Sequence, residues 1–281
     1  MKKKVAIQGI RGSFHDITSQ RFFANEDIEL IQCNTFEEVF NAMKQDSEII
    51  ALVAIENTIA GSLLHNYELL RDSGSTIIGE HKLRIQHSIM CLPEDNIDDI
   101  TEVNSHPVAL MQCRAFLEAH PSFKVVEVAD TAGAAENISR NNLRGHAAIC
   151  HKDTATTYGL KILYEGIETN KHNFTRFLVL ANQEKAEKLR DITKANKSTL
   201  VFTLPHEEGS LSAILSVLSF YKLNLTKIQS LPIIGKEWQY MFYIDVIFQD
   251  IQRLNQAINA ITPLTRELKN LGIYIDGEQT L

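Results

Sequence analysis

Residues 173–180 contain the side chains of this sequence that are best suited to binding a small anion. Thr175 and Arg176 stand there between Phe174 and Phe177, inside an otherwise apolar stretch. An arginine guanidinium can bind a carboxylate through two parallel hydrogen bonds, and a neighbouring hydroxyl adds a further donor. The pattern indicates an anion-binding strand, and the alternative is a strand edge at which the arginine forms an ordinary salt bridge.

Four other loops end in a small hydroxyl side chain where a helix is expected to begin. In open α/β sheets, ligands bind beyond the carboxyl ends of the strands. Helix N-termini offer unpaired N–H groups and the positive end of the helix dipole there. Several such ends around one cleft predict a pocket for a multiply charged small anion, although helix capping alone also accounts for each residue. These residues are Ser13, Thr58, Ser105 and Thr131.

Motifs for metals, nucleotides and the common hydrolases are missing from the sequence. It contains no GxGxxG, GxxxxGK[ST], GxSxG or HExxH pattern and no CxxC pair. We therefore expect no metal and no cofactor. The cysteines are expected to be reduced and mostly buried, and four of the histidines are interpreted as ordinary packing or surface residues. These residues are Cys33, Cys91, Cys113 and Cys150, and His81, His87, His106 and His151.

The size and charge of the chain set limits on its partners. Its 281 residues are enough for about two domains, and 28 basic against 35 acidic residues give a net charge of −7. That excess of acid argues against nucleic acid or an anionic membrane as the main partner. Residues 49–55 form the longest apolar run, which is too short to span a bilayer, and the start does not resemble a signal peptide. A cytoplasmic protein is expected.

The elements that would position these residues alternate between strands and helices over the first 180 residues. Short apolar runs at 5–8, 49–55, 100–104, 124–128, 147–150 and 174–180 read as strands, and most of them lead through a polar loop into a helix. This alternation predicts α/β layers with mostly parallel strands. The charged stretch 181–197 reads equally well as a linker or as a solvated helix.

From residue 198 the pattern changes. Strands are expected at 199–204, 225–234 and 238–248, with helices at 209–222 and 251–271 and a last short strand at 273–275. Pro263 would break or restart the second helix. The order βαββαβ is the ferredoxin-like arrangement.

Six motifs occur together in the order typical of one enzyme family, and the chain resembles the monofunctional bacterial prephenate dehydratases over nearly its whole length. The resemblance implies a two-lobed catalytic domain like type II periplasmic binding proteins (1–182), a linker (183–197) and a regulatory ACT domain (198–281). It also implies a cofactor-free carbon–oxygen lyase that converts prephenate to phenylpyruvate, water and CO2 in phenylalanine biosynthesis. The motifs are GIRGSF (9–14), IENTIAG (55–61), SHPVALMQC (105–113), DTAGAA (130–135), YGL (158–160) and NFTRF (173–177).

The resemblance also implies roles for individual residues. Thr175 would donate a hydrogen bond or proton to the departing hydroxyl, and Arg176 would anchor a substrate carboxylate. Neutral donors would surround the substrate, while Glu56 would orient a neighbour. The further binding residues implied are Asn57, Gln112, Ser105, Ser13, Thr131 and Phe177. Val108 departs from the family's SHPQ pattern and removes one polar contact.

In the ACT domain, the resemblance implies that L-phenylalanine binds at a subunit interface of a homodimer or homotetramer. Two residues of the family's ESRP motif differ here, so a purely structural dimerisation module is a competing hypothesis. For the catalytic part, the competing hypotheses are arogenate as the substrate and a non-catalytic small-anion sensor. The residues that match the effector site are Gly209, Ser210 and Leu211, with Gln229, Ser230, Leu231 and Pro232.

Overall fold

The computed structural model describes residues 2–277 and 279–280. The chain forms two compact units. The first contains the described residues up to 63 together with 81–177 and 279–280, and the second contains 64–80 and 178–277. Residues 64–80 and 178–182, which the sequence places in the catalytic domain, thus group with the carboxy-terminal part.

Strands and helices alternate through much of the first 181 residues, as the sequence predicts. In chain order these elements are β1 (Lys3–Gln8), α1 (Phe14–Phe22), β2 (Ile28–Cys33), α2 (Phe36–Gln45), β3 (Ile50–Asn57), β4 (Gly61–Ser62), α3 (Leu64–Ser73), β5 (Thr76–Arg84), β6 (Ser88–Cys91), β7 (Glu102–Ser105), α4 (Pro107–Gln112), α5 (Arg114–Glu118), β8 (Lys124–Glu127), α6 (Thr131–Asn141), β9 (His146–Cys150), α7 (Lys152–Tyr158), β10 (Lys161–Glu165) and β11 (Phe174–Ala181). The alternation is broken where β3 and β4, β5 to β7, β10 and β11, and α4 and α5 follow one another directly.

The remaining described residues form a second set of elements. They are α8 (Gln183–Leu189), β12 (Lys197–Thr203), α9 (Ser210–Phe220), β13 (Asn224–Pro232), β14 (Tyr240–Ile247), α10 (Ile251–Ile261), β15 (Glu267–Tyr274) and β16 (Gln279–Thr280).

Two mixed sheets organise the first unit and correspond to the two expected lobes. One has the strand order β16-β5-β11-β3-β1-β2, with β4 paired to β3, and the other has the order β10-β6-β9-β7-β8. The strand β1 is parallel to β2 and β3, and β7 is parallel to β8 and β9. Because these parallel strands end at one edge of their sheet, the loops that follow them can meet around one cleft.

The second unit contains an antiparallel sheet with the order β13-β14-β12-β15. The helices α9 and α10 pack on it through a core of aliphatic and phenylalanine side chains, including Leu200, Phe202, Ile214, Ile244 and Leu254. The α/β class with a ferredoxin-like βαββαβ carboxy-terminal part is therefore confirmed.

The sequence misjudged several elements. The predicted helix 251–271 ends at 261, and the break expected at Pro263 takes the form of a single 3-10 turn, Thr262–Leu264. The helix does not restart, because the chain turns back as β15 to pair with β12. No strand was expected at β5, β6 or β10, and the pairs β10–β6 and β6–β9 are antiparallel. Residues 183–189 of the charged stretch are a helix capped by Asn182.

Among the described residues, no helix is long and apolar enough to cross a membrane. The four cysteines are buried and form no disulfide, in agreement with the expectation from the sequence. Burial raises the pKa of the Cys91 thiol to about 11 and that of Cys113 to about 12, so these thiols stay protonated near neutral pH.

Candidate active site

A cavity of about 430 Å³ lies within the first unit, where loops that follow strands of both sheets meet. One wall comes from the ends of β1, β3 and β11, and the facing wall comes from the loops after β7 and β8 and from α4. The cleft brings together six of the residues singled out from the sequence, namely Ser13, Asn57, Gln112, Thr131, Thr175 and Phe177.

The hydroxyl of Thr175 is held in place by Asn57, which ends β3. The Oδ1 atom of Asn57 accepts the backbone N–H groups of Ile59 (2.9 Å) and Ala60 (2.8 Å), which fixes the orientation of the amide. Its Nδ2 atom therefore faces β11 and donates to Thr175 Oγ1 at 2.9 Å. Because this oxygen accepts a hydrogen bond, and its own proton has no acceptor within the described part of the chain, Thr175 can donate into the cleft.

The N-termini of two helices point their free backbone N–H groups toward the same space. Ser13 caps α1 and accepts the N–H of Asp16, and Thr131 is the first residue of α6. The turn before α1 requires Gly12, whose φ is +79° and where a Cβ would lie 2.9 Å from Thr154 Cγ2. Both helix starts direct the positive end of a helix dipole at the cleft, and the carboxylate of Asp130, which caps α6, offsets part of that potential.

Gln112, at the end of α4, is oriented by His87. The Nε2 atom of His87 lies 2.8 Å from Gln112 Oε1. Since an amide oxygen only accepts hydrogen bonds, the ring proton of His87 must lie on Nε2. The amide nitrogen of Gln112, which has no partner within the described residues, is then available as a donor to the cleft. Burial lowers the pKa of His87, which keeps the ring neutral.

Three of the expected binding residues do not line the cleft. Successive side chains of a strand point to opposite faces, so Thr175 and Phe177 face the cavity while Arg176 faces away and lies 3.9 Å from Glu56. Glu56 is likewise on the opposite face of β3 from Asn57. The Ser105 hydroxyl is fully buried and donates to the carbonyl oxygen of Ile149 at 2.5 Å. The expectation that a guanidinium and this serine contact the substrate directly has no counterpart in this geometry.

Several residues to which the sequence analysis gave no role in binding also line the cleft. They include Phe14, His15, His87, His106 and Asp130. Two of the histidines that we interpreted as ordinary, His87 and His106, therefore belong to the site. His106 directly follows β7, so the rule that ligands bind beyond strand ends could have found it. Nothing in the spacing pointed to His87, which lies between two strands that the sequence did not predict.

Burial lowers the pKa of three imidazoles in and beside the cleft, those of His15, His87 and His151. His15 Nε2 accepts the N–H of Ala54 at 3.3 Å, and burial lowers the pKa of His15 to about 3. Burial also lowers the pKa of His151 to about 4, and Phe14 packs edge-on against both His151 and His87. The lining of the cleft presents hydroxyl, amide and imidazole groups, and among these lining residues there is no lysine or arginine and Asp130 is the only carboxylate.

The residues that match the effector site lie in the second unit. Gly209, with φ of +79°, precedes α9, which begins with Ser210 and Leu211. Gln229 to Pro232 form the end of the edge strand β13, where Leu231 is buried. Within the described part of the chain, no three His, Cys, Asp or Glu side chains are placed to hold a metal ion.

Comparison with known proteins identifies the family. The family model described as prephenate dehydratase matches residues 5–185. The Escherichia coli bifunctional chorismate mutase/prephenate dehydratase is 32% identical over 275 residues, which cover 96% of this chain and 70% of the relative. The Arabidopsis thaliana arogenate dehydratase/prephenate dehydratase 2 is 34% identical over 281 residues, covering 96% of this chain and 72% of the relative.

A solved structure agrees with these relatives. The prephenate dehydratase of Arthrobacter aurescens in complex with L-Phe superposes with a TM-score of 0.86 at 25% identity, covering 99% of this chain and 92% of that one. The sequence matches and this shared fold point to one reaction, the dehydration of prephenate in phenylalanine biosynthesis. The chain belongs to the prephenate dehydratase family of carbon–oxygen lyases.

Proposed function

We propose that prephenate binds in the cleft between the two sheets of the first unit, with Thr175 as the group that assists the departing hydroxyl. The observation that carries this assignment is the hydrogen bond from Asn57 Nδ2 to Thr175 Oγ1. It leaves the threonine proton directed at the cavity. A threonine hydroxyl is a weak acid, so Thr175 acts mainly as a preorganised hydrogen-bond donor that strengthens as C–O cleavage proceeds.

The reaction needs few chemical groups from the protein. The bond between the ring and its carboxylate breaks and releases CO2, and its electron pair forms the last double bond of the aromatic ring. The hydroxyl on the opposite ring carbon leaves and takes up a proton to form water. Because aromatisation supplies much of the driving force, the cleft needs only to orient the substrate and stabilise the leaving hydroxyl.

Neutral donors would bind the pyruvyl carboxylate of prephenate. The amide of Gln112, the hydroxyls of Ser13 and Thr131 and the backbone N–H groups at the starts of α1 and α6 supply these donors. The aromatic ring of Phe177, in edge contact with His15 at 5.0 Å, packs against the substrate ring. The carboxylate that departs as CO2 is best left without a guanidinium, since its electrons must flow into the ring.

Arg176, Glu56 and Ser105 have supporting roles in this proposal. Arg176 and Glu56 stabilise the neighbouring strands β11 and β3 from the face opposite the cleft. Ser105 ties the end of β7 to β9 and so fixes the loop that carries His106. Substitution of Arg176 would then perturb activity through the position of Thr175.

The direct test is to incubate the purified protein with prephenate and follow phenylpyruvate by its absorbance. Thr175→Ala should still bind prephenate, and its turnover should fall about 10²–10³-fold, the usual effect of removing one such donor. Thr175→Ser, which keeps a hydroxyl, is the matched control and should retain most of the wild-type turnover. Well-folded wild-type protein that binds prephenate without forming product would instead favour the small-anion sensor.

We also propose L-phenylalanine as an effector of the second unit, bound near Gly209–Leu211 and Gln229–Pro232. The Arthrobacter relative was solved in complex with L-Phe, which supports this amino acid as the ligand, and the match to the family's effector motifs supports the position. Gln229 and Leu231 replace the glutamate and arginine of the family's ESRP motif, so the amino acid would be held by backbone groups of these segments. Repeating the prephenate assay with and without L-phenylalanine tests the proposal, since a purely structural module would leave turnover unchanged.

A homodimer or homotetramer assembled through the ACT sheets accompanies that effector site. The edge strand β13 exposes Ile228, and the turn that follows exposes Ile234 and Trp238. Unpaired strand edges with apolar side chains favour association with a second chain. Sedimentation analysis with Trp238→Lys, which should shift the protein toward monomer, tests this assembly. Four unpaired thiols are consistent with a reducing compartment, and we propose a cytoplasmic location.

A further inference from the structure

A second cavity, of about 510 Å³, lies wholly within the second unit. Its walls come from the end of α3 and the start of β5, from α8, and from the second half of β15. None of its lining residues belongs to the catalytic cleft or to the segments 209–211 and 229–232. Its volume is within the range of sites that bind small organic molecules.

Two basic side chains of this cavity lack an acidic partner. Arg190 ends α8 and Lys269 lies on β15, and neither forms a salt bridge with an acidic residue in the described part of the chain. The third basic residue of the lining is different, because Nε and Nη2 of Arg71 each lie 2.6 Å from the carboxylate of Asp72. In a chain with a net charge of −7, the two unpaired cations create a local positive potential that attracts an anion.

Asn270 adds a neutral donor whose orientation is fixed. Its Oδ1 atom accepts the backbone N–H of Gly272 at 2.9 Å and lies 3.2 Å from Ser198 Oγ. The Nδ2 atom points away from these groups and has no acceptor among the residues that the structure describes. An anion in the cavity can therefore accept a hydrogen bond from it. Further hydroxyl and amide groups of the lining belong to Ser75, Thr76 and Gln183.

An irregularity of β15 places this donor beside the lysine. In a regular strand, Lys269 and Asn270 would point to opposite faces. The pairing with β12 shifts register here and makes Leu271 the extra residue of a bulge. Bulges redirect side chains, and both Lys269 and Asn270 line the cavity. A Cβ on Gly272 would lie 2.4 Å from the carbonyl oxygen of Ile77, so this glycine allows β15 to pack directly on β5.

We propose that this cavity binds a phosphate group, either free or esterified to a small molecule that carries hydroxyl groups. A phosphate monoester carries about 1.5 to 2 negative charges near neutral pH, which matches Arg190 and Lys269 better than one carboxylate does. Arginine binds phosphate through its fork of donors and lysine binds it as a point charge. Asn270 Nδ2 donates to a remaining phosphate oxygen.

Glu187 favours an ester over the free ion. It is the only acidic residue of the lining, and it forms no salt bridge with Arg190 or Lys269. An ionised carboxylate only accepts hydrogen bonds, so it repels phosphate oxygens and attracts hydroxyl donors. A ligand that carries its phosphate at one end and hydroxyl groups at the other can satisfy the cations and the carboxylate together.

Isothermal titration calorimetry of the full chain at constant ionic strength tests the proposal with inorganic phosphate and with glycerol 3-phosphate. We expect one site per chain for each, and tighter binding of glycerol 3-phosphate, because its hydroxyl groups can donate to Glu187. Equal affinities would identify free phosphate as the ligand of the same site. Malonate, a dianion made of two carboxylates, should bind more weakly, because it cannot present three oxygens of one centre to Arg190, Lys269 and Asn270.

The variant Arg190→Gln/Lys269→Gln removes both cations and keeps polar side chains. It should weaken the binding of glycerol 3-phosphate at least about tenfold, since each charge-assisted hydrogen bond contributes about this factor or more. The matched control is Arg253→Gln/Lys236→Gln. It removes two exposed basic residues of the same unit that do not line the cavity, and should leave the affinity unchanged.

Three results would overturn the proposal. Well-folded wild type that binds neither phosphate compound has no such site. Equal affinity of the wild type and Arg190→Gln/Lys269→Gln, or an equal loss in the control variant, would show that the anion binds elsewhere or only responds to overall charge. Malonate that binds as tightly as glycerol 3-phosphate would show that the cavity does not recognise phosphate.

Discussion

His87 Nε2 lies 2.8 Å from Gln112 Oε1, and both residues line the cleft. Burial lowers the pKa of His87, and its Nδ1 atom is buried without a hydrogen-bond partner among the described residues. An unpaired nitrogen lone pair is tolerable in such a place, whereas a proton there would be a buried donor with no acceptor. His87 is thus a neutral Nε2–H donor that turns the amide nitrogen of Gln112 toward the ligand.

Replacing His87 with phenylalanine should keep the ring packing against Phe14 and free the Gln112 amide to rotate. We expect kcat/KM for prephenate to fall about tenfold, mainly through KM, because the lost donor binds the substrate before the reaction as well as during it. In a Gln112→Ala background the same substitution should cost nothing further. An additive loss in this double-mutant cycle would show that His87 acts independently of Gln112.

A second prediction concerns Asn57, whose amide makes Thr175 a donor. In Asn57→Asp, the carboxylate can still accept the N–H groups of Ile59 and Ala60, but it now attracts the Thr175 proton away from the cleft. Turnover of prephenate should therefore fall about 10²–10³-fold. Asn57 Nδ2 also donates to the buried Asn173 Oδ1 at 2.7 Å, so the thermal unfolding temperature is measured alongside to separate the loss of turnover from a loss of stability. The control is Asn57→Ser. Its side chain attracts the Thr175 proton less strongly than a carboxylate does and does not hold the Thr175 hydroxyl, so Asn57→Ser should lose less activity than Asn57→Asp. Comparable activity of Asn57→Asp and wild type would contradict the assigned direction of this hydrogen bond.

The sequence predicts this site better than it predicts the orientation of some of its members. The rule of strand ends and helix starts singles out Ser13 and Thr131, which line one cleft, together with Thr58 and Ser105, which are not among its lining residues. Asn57 was implied by the family motif and not by this rule. The alternation of side chains along a strand would also have separated Thr175 from Arg176. Two adjacent residues of β11 cannot face the same cavity. The resemblance to the family nevertheless implied substrate contacts for both residues.

Other features depend on long-range packing that no local pattern contains. The neutral state of His15 and His87 results from burial by segments far apart in the chain. The strand β15 was mistaken for helix because residues 264–271 contain apolar side chains at helical spacing, and pairing with β12 overrides that local preference. Gly272 fits there because a Cβ would lie 2.4 Å from the carbonyl oxygen of Ile77.

The third prediction is a pH dependence of stability that arises from His15. The pKa of its ring is about 3 in the folded protein against an ordinary 6.5. Between these values the unfolded chain binds a proton that the folded chain does not, so stability is complete above about pH 6.5 and is lost as the pH falls. The loss approaches about 1.4 kcal/mol per pH unit for one such group.

Urea unfolding between pH 4.5 and 7.5 measures this effect. His15→Gln removes the titrating ring and keeps an acceptor for the Ala54 N–H, so the free energy of unfolding should fall less steeply with decreasing pH than in the wild type. The same substitution at the exposed His65 is the control. Parallel curves for His15→Gln and wild type would exclude His15 as a source of acid sensitivity.

The last prediction concerns a buried ion cluster in the second unit. Lys197 Nζ lies 2.8 Å from Glu80 Oε1 and 2.9 Å from Asp276 Oδ1, and the side chains of Lys197 and Glu80 are 4% and 0% exposed. Lys197→Met removes the ammonium group that lies 2.8 Å from the buried Glu80 carboxylate. Removal of one partner from a buried pair costs about 3–5 kcal/mol, whereas replacement of both by apolar residues is often neutral. Urea unfolding should therefore show a large loss for Lys197→Met, substantial recovery in Lys197→Met/Glu80→Leu, and no loss for the exposed Lys194→Met. A small effect of Lys197→Met alone would contradict a stabilising role of this ion pair and would mean that other contacts of Glu80, among them the Gly277 N–H at 3.0 Å from its Oε1, stabilise the carboxylate.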